Sequence, residues 1–241
     1  ALVMCVRAKY NKIQDRACFT LRSLLENLED CKQKLIPAVP TIVDALIVLI
    51  TSNDNPQTIS TALSCLIYVA LLVTPEMAKY YQQFQTIFNT LLPTCTNFQR
   101  SEMKGKMIEM MSLFNSRLDA QFFSNVQDIL YNTLQELFSQ PVGIEDPILP
   151  YLLSSLCRMV DSPFKAIYPN IGKFIQLLLT RVQMPSTTND TDQTDTINIT
   201  NLISQEKKYL LLTIKRIAEY MKADFAPFAE QTFNVVGPLL D

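Results

Sequence analysis

The feature that most constrains this chain is a pattern repeated five times along it. In each segment a short polar turn, often containing a proline, precedes apolar residues at helical spacing. One position in this turn, called the turn position below, is occupied in successive segments by Pro37, Lys79, Gln121, Pro169 and Pro227. The residues five, eight and nine positions further on are apolar in every segment, with Thr232 as the exception. Residues at this spacing share one side of an α-helix, so each segment predicts a helix with a buried stripe.

The spacing of these segments indicates the architecture. The turn positions lie 42, 42, 48 and 58 residues apart. A period of about 40–47 residues is typical of HEAT and armadillo helical repeats. The two longer intervals contain insertions, one around residues 140–146 and one over residues 183–202. The pattern therefore predicts an all-α fold, an α-α superhelix (solenoid) of about five HEAT repeats. A four-helix bundle is the main alternative.

A further helix precedes each of these helices, so each repeat is a hairpin of an A helix followed by a B helix. Asn55 and Pro56 are typical of the N-cap and first turn of an A helix. One hairpin cannot bury both of its faces, so hairpins must stack, and the B helices then line the concave side. We predict one domain over residues 1–241, with approximate repeats at 11–52, 55–94, 101–139, 147–182 and 203–241.

Composition argues against catalysis and nucleic-acid binding. The 21 basic and 23 acidic residues give a net charge of −2, without the basic excess usual in nucleic-acid binders. The chain has no histidine, the commonest general base and metal ligand. Its six cysteines form no CxxC pair, so we expect reduced core thiols rather than a zinc or redox site. We predict no catalytic residue, no cofactor and no metal.

Membrane insertion is also disfavoured by the sequence. A membrane-spanning helix needs about 20 consecutive apolar residues. The nearest candidate, Ala62 to Val73, follows a helix start at Pro56 and has only 12 residues. We expect it to be a core helix, and we see no signal peptide at the start of the sequence.

Polar residues recur at two further positions of every B helix. Four residues after the turn position stand Thr41, Gln83, Asn125, Lys173 and Gln231, and seven residues after it stand Asp44, Thr86, Asp128, Gln176 and Asn234. Residues three apart are neighbours on a helix, so these two columns share one face. One interpretation is a ladder of carboxylates and amides that binds an extended, basic partner; the other is an ordinary solvated face. The candidate binding residues are Asp44, Gln83, Asn125, Asp128, Gln176, Glu230 and Asn234.

The insertion over residues 183–202 is a second candidate. It contains Asp190, Asp192 and Asp195, and no Lys or Arg occurs between Arg181 and Lys207. Its Thr-, Asn- and Asp-rich composition is typical of a mobile loop. It either attracts a basic ligand or is a tolerated surface insertion.

A family resemblance rests on several of these segments. The stretch from Gly105 to Leu113 resembles the G-K-x-I-E-x-x-S-L sequence of importin beta-3 karyopherins, the importin-5 type. The stretch from Tyr80 to Phe84 resembles that family's P-Y-Y-x-x-F, with Lys79 in place of the proline. Tyr168-Pro169 and the stretch from Phe225 to Phe228 stand where the family opens its B helices. The similarity runs in order over most of the chain and matches the central HEAT repeats of the receptor.

The resemblance implies a nuclear import receptor that shuttles between cytoplasm and nucleus. It implies that basic cargo such as ribosomal proteins and histones binds the inner surface, which makes the candidate residues above a cargo-binding set. It also implies release by GTP-bound Ran, whose principal contact lies in N-terminal repeats outside this sequence, and nucleoporins as further partners. The family's acidic insertion is longer and more acidic than residues 183–202. A HEAT-repeat scaffold, such as a phosphatase regulatory subunit, is the alternative.

Overall fold

The structure is a computed structural model of the 241-residue chain. It describes residues 1–27, 32–72, 77–96, 100–114, 120–140, 146–162, 165–184 and 193–239. Side chains are described for the same residues except 32, 78, 120, 193–204 and 239. The chain forms two compact units, residues 1–117 and residues 118–241. Within the described residues the regular secondary structure is entirely helical, which confirms the all-α prediction.

The first unit contains seven α-helices in its described part. They are α1 (Leu2–Val6), α2 (Asn11–Glu26), α3 (Lys32–Leu35), α4 (Val39–Ser52), α5 (Pro56–Leu72), α6 (Tyr81–Leu91) and α7 (Ser101–Ser112), with 3-10 turns at Ile36–Ala38, Ala78–Tyr80 and Leu92–Thr94. The predicted A helices α2, α5 and α7 pack against one another in chain order, and α4 packs against α5. The unit is thus a stack of helical hairpins, as the repeat predicts.

The second unit contains five α-helices in its described part. They are α8 (Ala120–Phe138), α9 (Leu149–Val160), α10 (Ile171–Gln183), α11 (Gln193–Met221) and α12 (Ala226–Val236), with 3-10 turns at Tyr168–Asn170, Lys222–Phe225 and Gly237–Leu239. The B helices α8, α10 and α12 pack in series, and the A helices α9 and α11 pack against each other. This unit also has the predicted two-layer order of A and B helices.

The B-helix stripes predicted from sequence form much of each core. Ile42, Leu46, Phe84, Phe88, Val126, Leu130, Phe174 and Leu178 are each no more than 5% exposed. Thr232, the polar exception, is half-buried and donates its hydroxyl hydrogen to the carbonyl of Phe228 at 2.8 Å. Such bonding within the helix lets a threonine occupy an apolar stripe.

Local capping explains where α5 begins. The Asn55 side-chain oxygen accepts hydrogen bonds from the backbone N–H groups of Gln57, at 2.9 Å, and Thr58, at 3.4 Å. Pro56 then occupies the first helical position, where its missing N–H costs nothing. The predicted N-cap is confirmed.

The fifth A helix differs from its prediction. The local composition predicts a loop over residues 183–202 and a helix from Gln205, whereas α11 begins at Gln193. Ile199, Leu202 and Ile203 continue the helical spacing upstream of Leu210, and this pattern outweighs the local Thr and Asn content. Intrinsic helix propensities of such residues differ by less than about 1 kcal/mol, so a favourable pattern overrides them.

One apolar stretch is longer than the sequence pattern predicts. Among the described residues, Gln33–Ser52 has the length and a mean hydropathy, 2.0, that would allow it to cross a membrane. The expectation that no run reaches this length is therefore wrong. Pro37 lies in a 3-10 turn and Pro40 in the first turn of α4, so helical structure continues past both. Val43 and Leu46 on α4 are fully buried. A helix that packs into a protein core can be as long and as apolar as a membrane-spanning helix, so length and hydropathy do not distinguish the two.

The cysteines of the described residues are all free thiols. Cys18, Cys65 and Cys157 are buried, Cys95 is half-buried and Cys5 is exposed. The Cys65 thiol lies 3.2 Å from the carbonyl oxygen of Cys18. A hydrogen bond with the Cys18 side chain, together with burial, raises the pKa of the Cys65 thiol, which therefore stays protonated and unreactive.

A buried lysine joins α5 to α7. The Lys106 side chain is 3% exposed, and its Nζ lies 2.6 Å from Glu102 Oε1 and 2.7 Å from Ser60 Oγ. Lys106 belongs to the stretch that resembles the importin beta-3 family, and its role here is to hold two A helices together. Burial lowers the pKa of its ammonium group, although Glu102 partly opposes this effect.

This lowered pKa predicts a pH-dependent stability. The folded state binds the Lys106 proton more weakly than the unfolded state does, so the wild type gains stability as pH rises from the folded-state pKa towards 10.5. Lys106→Met removes the titrating group while keeping the volume. The free energy of unfolding of the wild type minus that of the variant should therefore increase between about pH 7 and about pH 10. Urea denaturation of both proteins measures it, and a difference that is constant with pH contradicts it.

Candidate functional site

The two polar columns of the B helices are exposed in every repeat. All ten residues at the predicted positions, Thr41, Asp44, Gln83, Thr86, Asn125, Asp128, Lys173, Gln176, Gln231 and Asn234, have exposed side chains. Glu230, which precedes Gln231 on α12, is exposed as well. The sequence pattern therefore identified the solvent-facing side of each B helix correctly. Binding of a partner on this side stays a prediction.

In the first unit, the candidates lie on α4 and α6. Asp44 stands between the buried residues Val43 and Ala45, so its carboxylate faces away from the core. Gln83 precedes the buried Phe84, whose ring packs against that of Phe114 at a tilt, with the ring centroids 5.2 Å apart. Each polar side chain is thus held outward by an anchored neighbour on its own helix.

In the second unit, aromatic contacts hold α8 and α10 side by side. The rings of Tyr131 on α8 and Phe174 on α10 meet edge to face, with centroids 5.3 Å apart. Phe174 is 1% exposed and lies between Lys173 and Gln176 of the polar columns. Its burial therefore orients both polar side chains toward solvent.

A glycine allows α12 to approach α10 closely. A Cβ atom at Gly172 would lie 3.3 Å from Cε1 of Phe228 on α12, which is tighter than an ordinary contact. The ring of Phe228 therefore occupies space that any larger residue at position 172 would need. Gly172 therefore lets the Phe228 ring of α12 pack directly against the backbone of α10.

The polar columns of α10 and α12 meet directly. The Gln231 side-chain N–H donates a hydrogen bond to the Gln176 side-chain oxygen. The Gln176 N–H in turn lies 3.3 Å from the hydroxyl of Thr180. The first polar column of one helix thus adjoins the second polar column of the previous helix. The two amide side chains thus form a continuous row from one repeat to the next, which is the arrangement that the predicted ladder of polar side chains needs.

The charge of this face in the second unit is mildly negative. Asp128 and Glu230 are its carboxylates, and Lys173 is the cation among the column residues. Amides supply the other hydrogen-bonding groups. Within the described ranges, no group of three or more Cys, Asp or Glu side chains could hold a metal ion. The face is suited to hydrogen bonding and weak electrostatic attraction.

The second candidate falls largely outside the described residues. Asp190 and Asp192 lie in residues 185–192, which the structure does not describe. Asp195 belongs to the first turn of α11, and its side chain is not described. The proposed role of this acidic segment stays a prediction.

Sequence reasoning missed a buried ion pair beside that segment. Arg181 on α10 and Glu206 on α11 are 1% and 2% exposed, with Nε of Arg181 2.6 Å from Oε1 of Glu206. The same guanidinium donates hydrogen bonds to the carbonyls of Phe138, at 3.0 Å, and Gln140, at 2.6 Å. Arg181 thus joins the end of α8 to α10 and α11. In the sequence, Arg181 stands out as one arginine within the apolar pattern of α10. Helical periodicity does not show that its partner is a glutamate 25 residues away.

Comparison with protein-family models finds no match. Comparison with curated proteins finds similarity to a probable importin subunit beta-4 from Schizosaccharomyces pombe. The two are 19% identical over 248 residues, which cover 92% of this chain and 23% of the relative.

This similarity points to the importin-beta family. It runs along nearly the whole of both units, and it agrees with their helical-hairpin organisation. The chain spans about a quarter of the relative's length, so functions of a whole importin are not assigned to it by this similarity. The importin beta-3 type inferred from sequence motifs is a finer assignment and stays a prediction.

Proposed function

We propose that this chain is part of a nuclear import receptor of the importin-beta family and binds basic protein cargo on the exposed faces of its B helices. The observation that carries this proposal is the unbroken exposure of the polar columns, together with the amide contact between Gln176 and Gln231. An extended peptide can exchange main-chain hydrogen bonds with such a row while its cations meet the carboxylates of Asp128 and Glu230. The proposed activity is binding, without catalysis.

The wider mechanism rests on the family similarity. In the longer receptor, GTP-bound Ran would displace cargo, and nucleoporins would carry the receptor between cytoplasm and nucleus. Ribosomal proteins and histones have the basic surfaces that carboxylates on these helices would attract. A change in the packing of successive hairpins is the physical means by which Ran binding would alter a distant cargo site.

Charge reversal tests the cargo surface. Replacing Asp128 and Glu230 by lysine should weaken binding of a lysine-rich cargo peptide about tenfold, because two attractive contacts become repulsive. Both side chains are exposed, so the fold should be unaffected. Fluorescence anisotropy of a labelled peptide, titrated with the 241-residue chain, gives the dissociation constant. Wild-type affinity should fall as salt is raised.

A matched control separates this surface from overall charge. Asp161→Lys combined with Glu219→Lys makes the same change in net charge within the same unit, at exposed residues outside the polar columns. The control should bind the peptide less than about twofold more weakly, since screened charges at a distance act weakly. Equal losses in the two double variants would remove the columns from the binding site.

The receptor proposal has its own test at the level of the longer protein. Cargo bound to the full-length receptor should be released when Ran locked with GTP is added, and retained when Ran carries GDP. Immobilised receptor and cell extract provide the measurement. Recovery of a phosphatase catalytic subunit, with cargo indifferent to Ran, would favour the HEAT-repeat scaffold alternative.

A further inference from the structure

A groove lies between the two A helices of the second unit. It has a volume of about 200 Å³ and is lined on the α9 side by Pro150, Leu153, Ser154 and Cys157. Tyr209, Leu212, Thr213 and Arg216 line it on the α11 side. The groove thus lies on the A helices, whereas the polar columns lie on the B helices. Helical periodicity does not reveal the groove, because it does not fix the distance between two helices.

The α11 wall of this groove exposes large apolar groups. Tyr209 is 38% exposed and Leu212 is 43% exposed. Tyr220, at 40%, extends the same side of the helix because it lies eleven residues after Tyr209, about three helical turns. Isolated exposed apolar residues are common, but a row beside a groove marks an interaction surface.

The described part of this surface is basic, in contrast to the chain as a whole. Helix α9 carries Arg158 and no acidic residue. From Gln205 onward, α11 carries Lys207, Lys208, Lys215 and Arg216. Its acidic residues there are Glu206, which is buried against Arg181, and Glu219, which lies 3.6 Å from Lys215. Lys208 and Lys215 stand four and three residues from Leu212, so they flank it on the helix surface.

The polar end of the groove is also cationic. The described ion pairs do not include Arg216, whose charged group interacts with the thiol of Cys157. Burial raises the pKa of that thiol, which therefore stays neutral and leaves the positive charge of Arg216 uncompensated. An occupant of this groove thus meets apolar walls and one cation at its edge.

We propose that the groove between α9 and α11 binds a short acidic segment of a partner protein. One hydrophobic side chain of the segment enters between Leu153 and Leu212, and flanking carboxylates pair with Arg216 and Lys208. Charge complementarity selects this occupant, because the groove has apolar walls and a cationic rim. The volume is below the roughly 300–1,000 Å³ of small-molecule sites, so a single side chain fits it better than a whole ligand. The proposal is independent of the cargo surface on the B helices, which is expected to take basic partners.

The experiment uses the 241-residue chain and a fluorescein-labelled peptide that has one leucine flanked by glutamates on both sides. Wild-type protein should bind it, with an affinity that falls as ionic strength rises. Arg216→Glu should weaken binding about tenfold, and Leu212→Ala should weaken it by a few-fold. A peptide with alanine in place of its leucine, or lysines in place of its glutamates, should bind at least about tenfold more weakly.

Arg16→Glu is the matched control, because it makes the same substitution at an exposed residue of α2, outside both the groove and the polar columns. It should leave affinity for the acidic peptide unchanged. Arg216→Glu should likewise leave the basic cargo peptide unaffected, so this proposal and the cargo proposal fail separately. Three results would overturn the groove proposal. Arg216→Glu and Arg16→Glu could have equal effects, or the lysine peptide could bind as well as the acidic one. The third is displacement of the acidic peptide by a uridine oligonucleotide that binds the same surface more tightly.

Discussion

Arg181→Met is expected to lower the free energy of unfolding of the second unit by about 3–5 kcal/mol. The substitution removes the guanidinium that pairs with the Glu206 carboxylate, which is 2% exposed, and breaking a buried ion pair from one side is costly. It also removes the donor to the carbonyls of Phe138 and Gln140 at the end of α8. The loss therefore combines a broken buried ion pair with two weakened backbone contacts.

Urea denaturation followed by circular dichroism measures this loss. A second variant that combines Arg181→Met with Glu206→Leu should recover a large part of it, because burying two apolar groups in place of an ion pair is often neutral or stabilising. The exposed pair Lys215 and Glu219 supplies the contrast, since Lys215→Met should cost less than about 1 kcal/mol. A small effect of Arg181→Met, similar to that of Lys215→Met, would show that the buried pair does not hold α8, α10 and α11 together.

Phe174→Ala is expected to cost about 3–5 kcal/mol in the free energy of unfolding. The ring is 1% exposed and meets Tyr131 edge to face, so its removal opens a cavity between α8 and α10. Phe174 also holds Lys173 and Gln176 outward. The variant should therefore weaken binding of the basic peptide as well as destabilise the unit, even at temperatures where it stays folded.

Phe174→Leu is the matched control for this site. It keeps a large apolar side chain and should cost less than about 1.5 kcal/mol, with peptide affinity close to that of the wild type. Thermal and urea unfolding give the stabilities, and fluorescence anisotropy gives the affinities. Full stability of Phe174→Ala would contradict the inferred packing of α8 against α10. Normal affinity in a folded but destabilised variant would show that the polar columns do not depend on this contact.

Most of the fold was predictable because helices carry their own periodicity in the sequence. The starts of α5 at Pro56 and α7 at Ser101 agree with the predicted repeat bounds, and the cap at Asn55 marks the first of these starts. The start of α11 was misplaced by twelve residues because Thr- and Asn-rich composition was given more weight than the spacing of Ile199, Leu202 and Ile203. Local composition affects a helix boundary less than a continuing apolar pattern does.

The candidate cargo surface was predictable only in part. Exposure of Asp44, Asp128 and Gln176 follows from their phase on the helix relative to the buried stripe. The position of a residue around its own helix does not show which residues of other helices it contacts. The contact of Gln176 with Gln231, 55 residues further on, depends on how closely α12 approaches α10 at Gly172.

The sequence by itself determined the helical class, the five-fold repetition and the side of each B helix that faces solvent, because these properties depend on residues within a few turns of one another. Only the tertiary structure decided that Arg181 pairs with Glu206, that Lys106 is buried against Ser60, and that α9 and α11 enclose a basic, apolar groove. These arrangements join side chains far apart in the chain. They depend on the distances between packed helices, which helical periodicity does not encode.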